Sequence, residues 1–97
     1  LYTAGKLTDL GTLPGGRQSF GYGISESGRV VGASDSLELT LHAVLHDGSR
    51  LVDLKTLIPA GSGWVLTEAR DINADGAIVG TGVLRGRQRA FLLTPIQ

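Results

Sequence analysis

The chain repeats a seven-residue pattern after 44 positions. Residues 7–13 read Leu-Thr-Asp-Leu-Gly-Thr-Leu, and residues 51–57 read Leu-Val-Asp-Leu-Lys-Thr-Leu. A period of this length is typical of proteins in which each copy forms one supersecondary unit and buries its apolar face against a neighbouring copy. The repeat therefore constrains the fold more than any other feature of the sequence.

Two further blocks recur in the same order. Residues 23–32 align with 71–80 at an offset of 48, and residues 42–45 align with 89–92 at an offset of 47. We therefore expect residues 1–97 to be a single repeat module, composed of the tail of a preceding repeat at 1–6, repeat one at about 7–50 and repeat two at about 51–95.

Each copy divides into short strands, because its apolar and β-branched runs are four to six residues long and are bounded by Gly, Asp, Asn and Ser. Named d, a, b and c in chain order, the strands are expected at about 7–10, 19–25, 29–34 and 41–46, and again at 50–54, 66–72, 77–82 and 89–94. The 15 glycines in 97 residues fit this pattern, because glycine is the usual residue of hairpin turns.

Four antiparallel strands per copy predict an all-β fold of two four-stranded propeller-type blades. Two blades cannot close a ring, since propellers usually have about four to eight. Closure then requires oligomerisation or a longer array. Because the order begins with strand d and ends with strand c, strand d of one copy is free to complete the last blade of another. We expect a homo-oligomer, with a trimer of six blades favoured.

The repeated residues resemble the HAF repeat of secreted bacterial proteins, which is named for a His-Ala-Phe triplet. Copy one carries the pattern in Asp9-Leu10-Gly11-Thr12-Leu13, Gly23-Ile24, Val30-Val31-Gly32 and His42-Ala43-Val44-Leu45, and copy two in Asp53-Leu54, Ile72-Asn73, Ile78-Val79-Gly80 and Ala90-Phe91-Leu92. Copy two departs from it at Arg89, which replaces His, and at residues 58–60, which replace a glycine pair. The resemblance implies a β-rich repeat in an extracellular setting and no defined activity.

Composition excludes several classes of protein. Nine basic and nine acidic residues leave no formal net charge, which argues against a nucleic-acid partner. The absence of cysteine excludes disulfides and thiolate zinc sites. No apolar run approaches the roughly 18 residues that a membrane span requires, so we expect no membrane-spanning segment.

One segment resembles a calcium-binding loop. Asp71, Asn73 and Asp75 precede Gly76 in the order Asp-x-Asn-x-Asp-Gly, which places oxygen ligands at alternate positions. The bidentate carboxylate of such loops is missing, because the twelfth position is Gly82. A hairpin turn is the favoured interpretation, Ca²⁺ binding stays an alternative, and no other cofactor is expected.

Nucleophilic catalysis has little support. Ser25 lies in Gly-Ile-Ser-Glu-Ser-Gly, which lacks the second glycine of the nucleophile elbow. His42 and His46, the only histidines, are expected to have structural roles, as are Asp9 and Asp53 at equivalent positions of the two copies. The sequence therefore predicts a protein that is not an enzyme.

The longer connections between the predicted strands indicate where a binding site would lie. The d–a connections at 11–18 and 55–65 and the b–c connections at 35–40 and 83–88 are expected on the same side of the blades, where binding residues often lie. The candidate ligand-binding residues on this side are Arg17, Gln18, Asp35, Glu38, Trp64, Arg85, Arg87 and Gln88.

Trp64, the only tryptophan, follows Gly-Ser-Gly and either staples its loop to the core or stacks on a sugar ring. The favoured function is a non-catalytic secreted module that binds a protein or carbohydrate partner through this side. A purely structural self-assembling repeat and a calcium-binding blade are the alternatives.

Overall fold

The computed structural model describes residues 5, 7–38 and 40–95. The strands are β1 (Ser19–Ile24), β2 (Val30–Asp35), β3 (Leu41–His46), β4 (Leu51–Asp53), β5 (Trp64–Ile72), β6 (Ile78–Leu84) and β7 (Arg87–Leu93), with a 3₁₀ helix at Leu54–Leu57. Strands β1 to β4 form a four-stranded antiparallel sheet (sheet 1), and β5 to β7 form a three-stranded one (sheet 2). The all-β prediction is confirmed, and within one chain sheet 1 has four strands whereas sheet 2 has three.

The predicted first strand, at about 7–10, is absent. This segment forms no strand, although its sequence matches that of β4. Strand β4 is stabilised because it pairs with β3, where Val52 lies opposite Leu45. Backbone groups in an extended segment need such a partner, and residues 7–10 pair with no strand among the described residues. The predicted tail at 1–6 lies outside the described residues except for Gly5.

Two predicted boundaries in sheet 2 are also wrong. Strand β5 begins at Trp64 rather than at 66, so the tryptophan is not in a loop. The long connection expected at 83–88 is a two-residue turn, because β6 ends at Leu84 and β7 begins at Arg87. Arg85 and Gly86 have φ values of 53° and 80°, as a tight type I′ hairpin turn requires.

Both sheets have a β-bulge in their first strand. Strand β1 bulges at Tyr22, and β5 bulges at Thr67 and at Arg70; Arg70 lies 48 positions after Tyr22. Tyr22 and Arg70 contact each other across the sheets, since Arg70 Cζ lies 4.2 Å from the centroid of the Tyr22 ring. The contact has the geometry of a cation–π interaction.

A glycine lies opposite each bulged strand because the backbone there approaches too closely for a side chain. A Cβ on Gly32 would overlap the carbonyl oxygen of Phe20, and a Cβ on Gly80 would overlap that of Glu68. The two pairs are again 48 positions apart. The sheets therefore share a backbone irregularity and the glycine that accommodates it.

Each sheet has two faces, which we call A and B. Face A carries Val31, Ala43 and Leu45 on sheet 1 and, at the offsets of the sequence repeat, Val79, Ala90 and Leu92 on sheet 2. Face B carries Ile24, Val30 and Val44 on sheet 1 and Ile72, Ile78 and Phe91 on sheet 2. The hydrophobic core forms where face A of sheet 1 packs on face B of sheet 2, with the fully buried Leu54 between them.

The packing is directional, so one face of each sheet remains open. On face A, Val31 is fully buried whereas Val79 is 45% exposed. On face B, Ile72 is 5% exposed whereas Ile24 is 65% exposed. Leu92 is also exposed on face A of sheet 2. These pairs differ in burial because each sheet covers one face of the other. Face B of sheet 1 is only partly open, since Val44 is 3% exposed and lines a groove with Leu10.

Candidate functional site

The β1–β2 turn of sheet 1 and the β5–β6 turn of sheet 2 lie at the same end of the molecule. A Cβ on Gly23, at the end of β1, would lie 3.0 Å from Asp71 Cα at the end of β5. A Cβ on Gly76, in the following turn, would lie 3.0 Å from the guanidinium of Arg29. The longer connections at 11–18, 36–40 and 54–63 therefore share the opposite end, which we call the loop end.

Three of the candidate ligand-binding residues meet at the loop end of sheet 1. The backbone N–H groups of Arg17 and Gln18 donate to Asp35 Oδ1 at 2.7 and 3.0 Å. These hydrogen bonds, led by that from Gln18, lower the pKa of the Asp35 carboxyl below its ordinary value. Asp35 thus anchors the 11–18 connection, while Glu38 is exposed on the next one.

The other four candidates lie at the loop end of sheet 2. Trp64 lies opposite Leu84, which in turn lies opposite Arg87. Gln88 is the next residue of β7, and Arg85 is in the turn between β6 and β7. Both arginines and Gln88 are exposed. The structure therefore brings the candidates together as two groups at one end, one on each sheet.

Trp64 separates the core from a surface groove. Its ring packs edge-on against Phe91, with centroids 6.3 Å apart and an interplanar angle of 72°, so it does staple the strand to the core. The ring also lines a groove of about 340 Å³ together with Lys55, Thr56, Ile58, Pro59, Ala60 and Ser62. Both hydroxyl residues of the groove make local hydrogen bonds, since Thr56 Oγ1 donates to the Asp53 carbonyl at 2.7 Å and Ser62 Oγ accepts from the N–H of Trp64 at 3.2 Å.

The segment that resembles a calcium loop forms a hairpin turn. Asn73 Oδ1 accepts hydrogen bonds from the N–H groups of Asp75 and Ala77 at 3.0 and 2.9 Å. Asp71 Oδ1 accepts one from the N–H of Ile72 at 2.9 Å. Two of the oxygens that a cation would require are thus engaged by the backbone. In the ranges that the structure describes, no group of three or more His, Cys, Asp or Glu side chains is placed to hold a metal ion.

A chain of three polar side chains, which sequence reasoning did not group, lies between β2, β3 and β4. His42 Nδ1 lies 3.2 Å from Asp53 Oδ2, and His42 Nε2 lies 3.2 Å from Ser36 Oγ. The order Asp-His-Ser is that of the serine hydrolase triad. The repeat indicates part of this arrangement, because it places the strand with His42 next to the strand that ends at Asp53.

The hydrogen bonds around Ser36 favour a structural role for this chain. Ser36 Oγ also accepts from the N–H of Glu38 at 3.3 Å, and Thr40 Oγ1 lies 3.3 Å from the same His42 nitrogen. With Nδ1–H donating to Asp53, Nε2 accepts from one of the two hydroxyls. The cluster thus fastens the 36–40 connection to β3 and β4.

The remaining polar candidates make local hydrogen bonds. His46 Nδ1 accepts from the N–H of Gly48 at 3.2 Å, and Ser25 Oγ accepts from the N–H of Arg29 at 3.2 Å. Asp9 Oδ1 accepts from the N–H of Gly11 at 2.9 Å. All three are turn contacts.

No family model, curated protein or solved structure matches this chain. Over the described ranges, the chain has no helix of the length and apolarity that crossing a membrane would take.

Proposed function

We propose that the chain is a non-catalytic repeat module of β-propeller type, in which each sheet is a blade, and that it binds a partner at the loop end. The matching bulges, the matching glycines Gly32 and Gly80, and the packing of face A on face B support equivalent blades stacked in one direction. The resemblance to HAF repeats supports the same architecture and a secreted setting.

The groove beside Trp64 gives the most direct support for the class of partner. An indole ring that is held in place by Phe91 offers a rigid apolar surface for stacking. Lys55, Thr56 and Ser62 line the same groove. The Lys55 ammonium can donate to a ligand rich in hydroxyl groups, Thr56 Oγ1 can accept because it donates to a backbone carbonyl, and the Ser62 hydroxyl can donate because its oxygen accepts a backbone N–H. Carbohydrate is therefore the favoured partner.

The environment of His42 supports the absence of catalysis. A nucleophilic Ser36 would require its hydroxyl to be free of other partners and a nearby set of donors for an oxyanion. Instead its oxygen accepts the N–H of Glu38, and the hydroxyl of Thr40 competes for the histidine. A second candidate function, a structural repeat that acts by assembly, is supported by the exposed Val79 and Ile24 on the two open faces.

A glycan array tests the binding proposal. The wild type is expected to bind a limited set of glycans, and Trp64→Leu and Lys55→Ala are expected to weaken that binding by about 10-fold or more, while Arg50→Ala leaves it unchanged. Arg50 is the matched control because it is an exposed cation in the turn at the other end of sheet 1. Absence of binding to every glycan, or equal loss in all three variants, would refute a carbohydrate site at Trp64.

A further inference from the structure

The two sheets differ at their last edge. Strand β3 has β2 on one side and β4 on the other, whereas β7 pairs only with β6 among the described strands. An edge of this kind can accept another strand. An apolar groove of about 160 Å³ lies along it, lined by Ile58, Trp64, Leu66, Ala90, Phe91, Leu92 and Leu93.

The chain contains a second segment with the sequence of β4. Leu7, Thr8 and Asp9 correspond to residues 51–53, and the side chain of Leu7 is 99% exposed. The turn that follows β4 is already present here, because Asp9 Oδ1 accepts from the N–H two residues on at 2.9 Å, as Asp53 Oδ1 does at 3.1 Å. Among the described residues, this segment has no strand to pair with.

The segment also lies in the right place beside sheet 1. Leu10 lines a groove with Val44 and Leu51 on the face B side of sheet 1. Its counterpart Leu54 packs in the same way against face B of sheet 2, where it is fully buried. Within the chain, Leu54 also contacts face A of sheet 1. In an assembly, face A of sheet 2 from another copy would contact Leu10 in the same way.

We propose that the protein associates head to tail, with residues 7–9 of one copy adding as a fourth strand to β7 of a second copy. Face A of sheet 2 of the second copy then packs on face B of sheet 1 of the first. This interface goes beyond partner binding at the loop end and does not depend on it.

The pairing of β3 with β4 fixes the register of the added strand. Val44 lies opposite Asp53, Leu45 opposite Val52 and His46 opposite Leu51. The sequence offsets of 44 and 47 transfer this register to the added strand. Asp9 then lies opposite Phe91, Thr8 opposite Leu92 and Leu7 opposite Leu93. Leu7 thereby enters the apolar groove along β7, and three copies joined in this way contain six sheets, within the usual range of about four to eight blades.

The charges at the interface are complementary. His42 contacts Asp53 within the chain, and the residues at the equivalent positions are Arg89 and Asp9. Both are exposed in the single chain. In the head-to-tail interface the Arg89 guanidinium of one copy pairs with the Asp9 carboxylate of the other, which selects this register over its neighbours.

Charge reversal tests the pair. Arg89→Glu and Asp9→Arg each place like charges together, so each variant is expected to raise the self-association constant Kd by roughly 5- to 10-fold in sedimentation or light scattering over a range of concentrations. An equimolar mixture restores head-to-tail pairing, because the two introduced side chains of opposite charge face each other at one junction and the native pair of Asp9 and Arg89 forms at the next. A closed ring of three copies would keep one like-charged junction, so the mixture is expected to form dimers and longer open chains. A mixture that stays as dissociated as its components would overturn the pairing.

Substitution of an exposed leucine tests the strand. Leu7→Asp is expected to abolish association, whereas Leu37→Asp, a matched control at a leucine 79% exposed elsewhere, leaves it unchanged. Circular dichroism should show both variants folded, because neither side chain is buried. A wild type that is monomeric at every concentration, or equal effects of the two variants, would refute the interface. Glycan binding by folded monomeric Leu7→Asp would show that the loop end acts independently of assembly.

Disulfide cross-linking tests the register, and the chain has no cysteine of its own to interfere. The double variant Thr8→Cys/Leu92→Cys places two sulfurs on directly opposite residues, and oxidation is expected to give a ladder of covalent oligomers. The control Thr8→Cys/Ala90→Cys is displaced by two residues and is expected to cross-link poorly. A cross-link within one chain, or equal yields from both variants, would overturn the proposal.

Discussion

Removal of the Leu54 side chain should destabilise the fold more than any other leucine truncation in the chain. Leu54 has 0% exposure and lies in the core between the two sheets. A buried leucine truncated to alanine leaves a cavity and usually costs about 3–4 kcal/mol. For a domain of this size, about 1 kcal/mol lowers Tm by roughly 5 °C. Leu54→Ala should therefore lower Tm by roughly 15–20 °C.

Urea unfolding measures this loss directly. Trp64, the only tryptophan, contacts Phe91 in the core, so its fluorescence reports loss of the packing between the sheets. The midpoint should fall while the dependence of free energy on urea stays the same. Circular dichroism should give the same midpoint if the two sheets unfold together.

Two further leucines provide the controls. Leu57, in the same 3₁₀ helix, is 54% exposed, and Leu57→Ala should cost under about 1 kcal/mol. Leu10→Ala should cost equally little in dilute solution, and more as the protein concentration rises, because assembly buries Leu10 and stabilises the folded chain. A loss from Leu54→Ala no larger than that from Leu57→Ala would refute the assignment of the core.

Three further outcomes follow from single contacts. Gly80→Ala should cost about 1–3 kcal/mol or prevent folding, because its Cβ meets the Glu68 carbonyl, whereas Gly61→Ala, with open space around it, should leave Tm nearly unchanged. Backbone N–H donors, led by that of Ser49, lower the pKa of Asp47 to about 2 from an ordinary 3.8. The charged form of Asp47 therefore stabilises the fold above about pH 4. The Tm difference between wild type and Asp47→Asn should shrink as the pH falls from about 4 to about 2. A fluorophosphonate probe should not label the protein, and labelling that Ser36→Ala removes would refute the absence of catalysis.

The sequence predicts most of the strands, because glycine-containing turn signals stand between their apolar runs. Gly28 and Gly76 both have φ near 90°, and glycine between two apolar runs indicates a hairpin without further information. The tight turn at Arg85–Gly86 was missed because three nearby arginines are typical of an exposed loop. The start of β5 was missed because Gly-Ser-Gly before Trp64 is typical of a loop as well.

Other features could not be predicted because they depend on tertiary neighbours. Residues 7–10 and 51–54 have nearly the same sequence, yet in the part of the chain that the structure describes only the second segment has a strand beside it. The hydrogen-bonded chain through His42 depends on the register of three strands, and one of its members, Ser36, lies in a connection that has no counterpart pattern in copy two. The candidate ligand-binding residues lie at one end of the sheets, as strand direction predicts, but the groove at Trp64 depends on the path of the 54–63 connection.

The directional packing of face A on face B gives every copy a donor end and an acceptor end that cannot substitute for each other. A copy that has lost its donor strand, such as Leu7→Asp, still accepts a neighbour on β7 and then has no means of passing the chain on. Such a copy would act as a terminator of growth rather than as an inert diluent. A small fraction of it mixed with wild type should shorten open assemblies, and should open closed rings in proportion to the number of subunits that each ring contains.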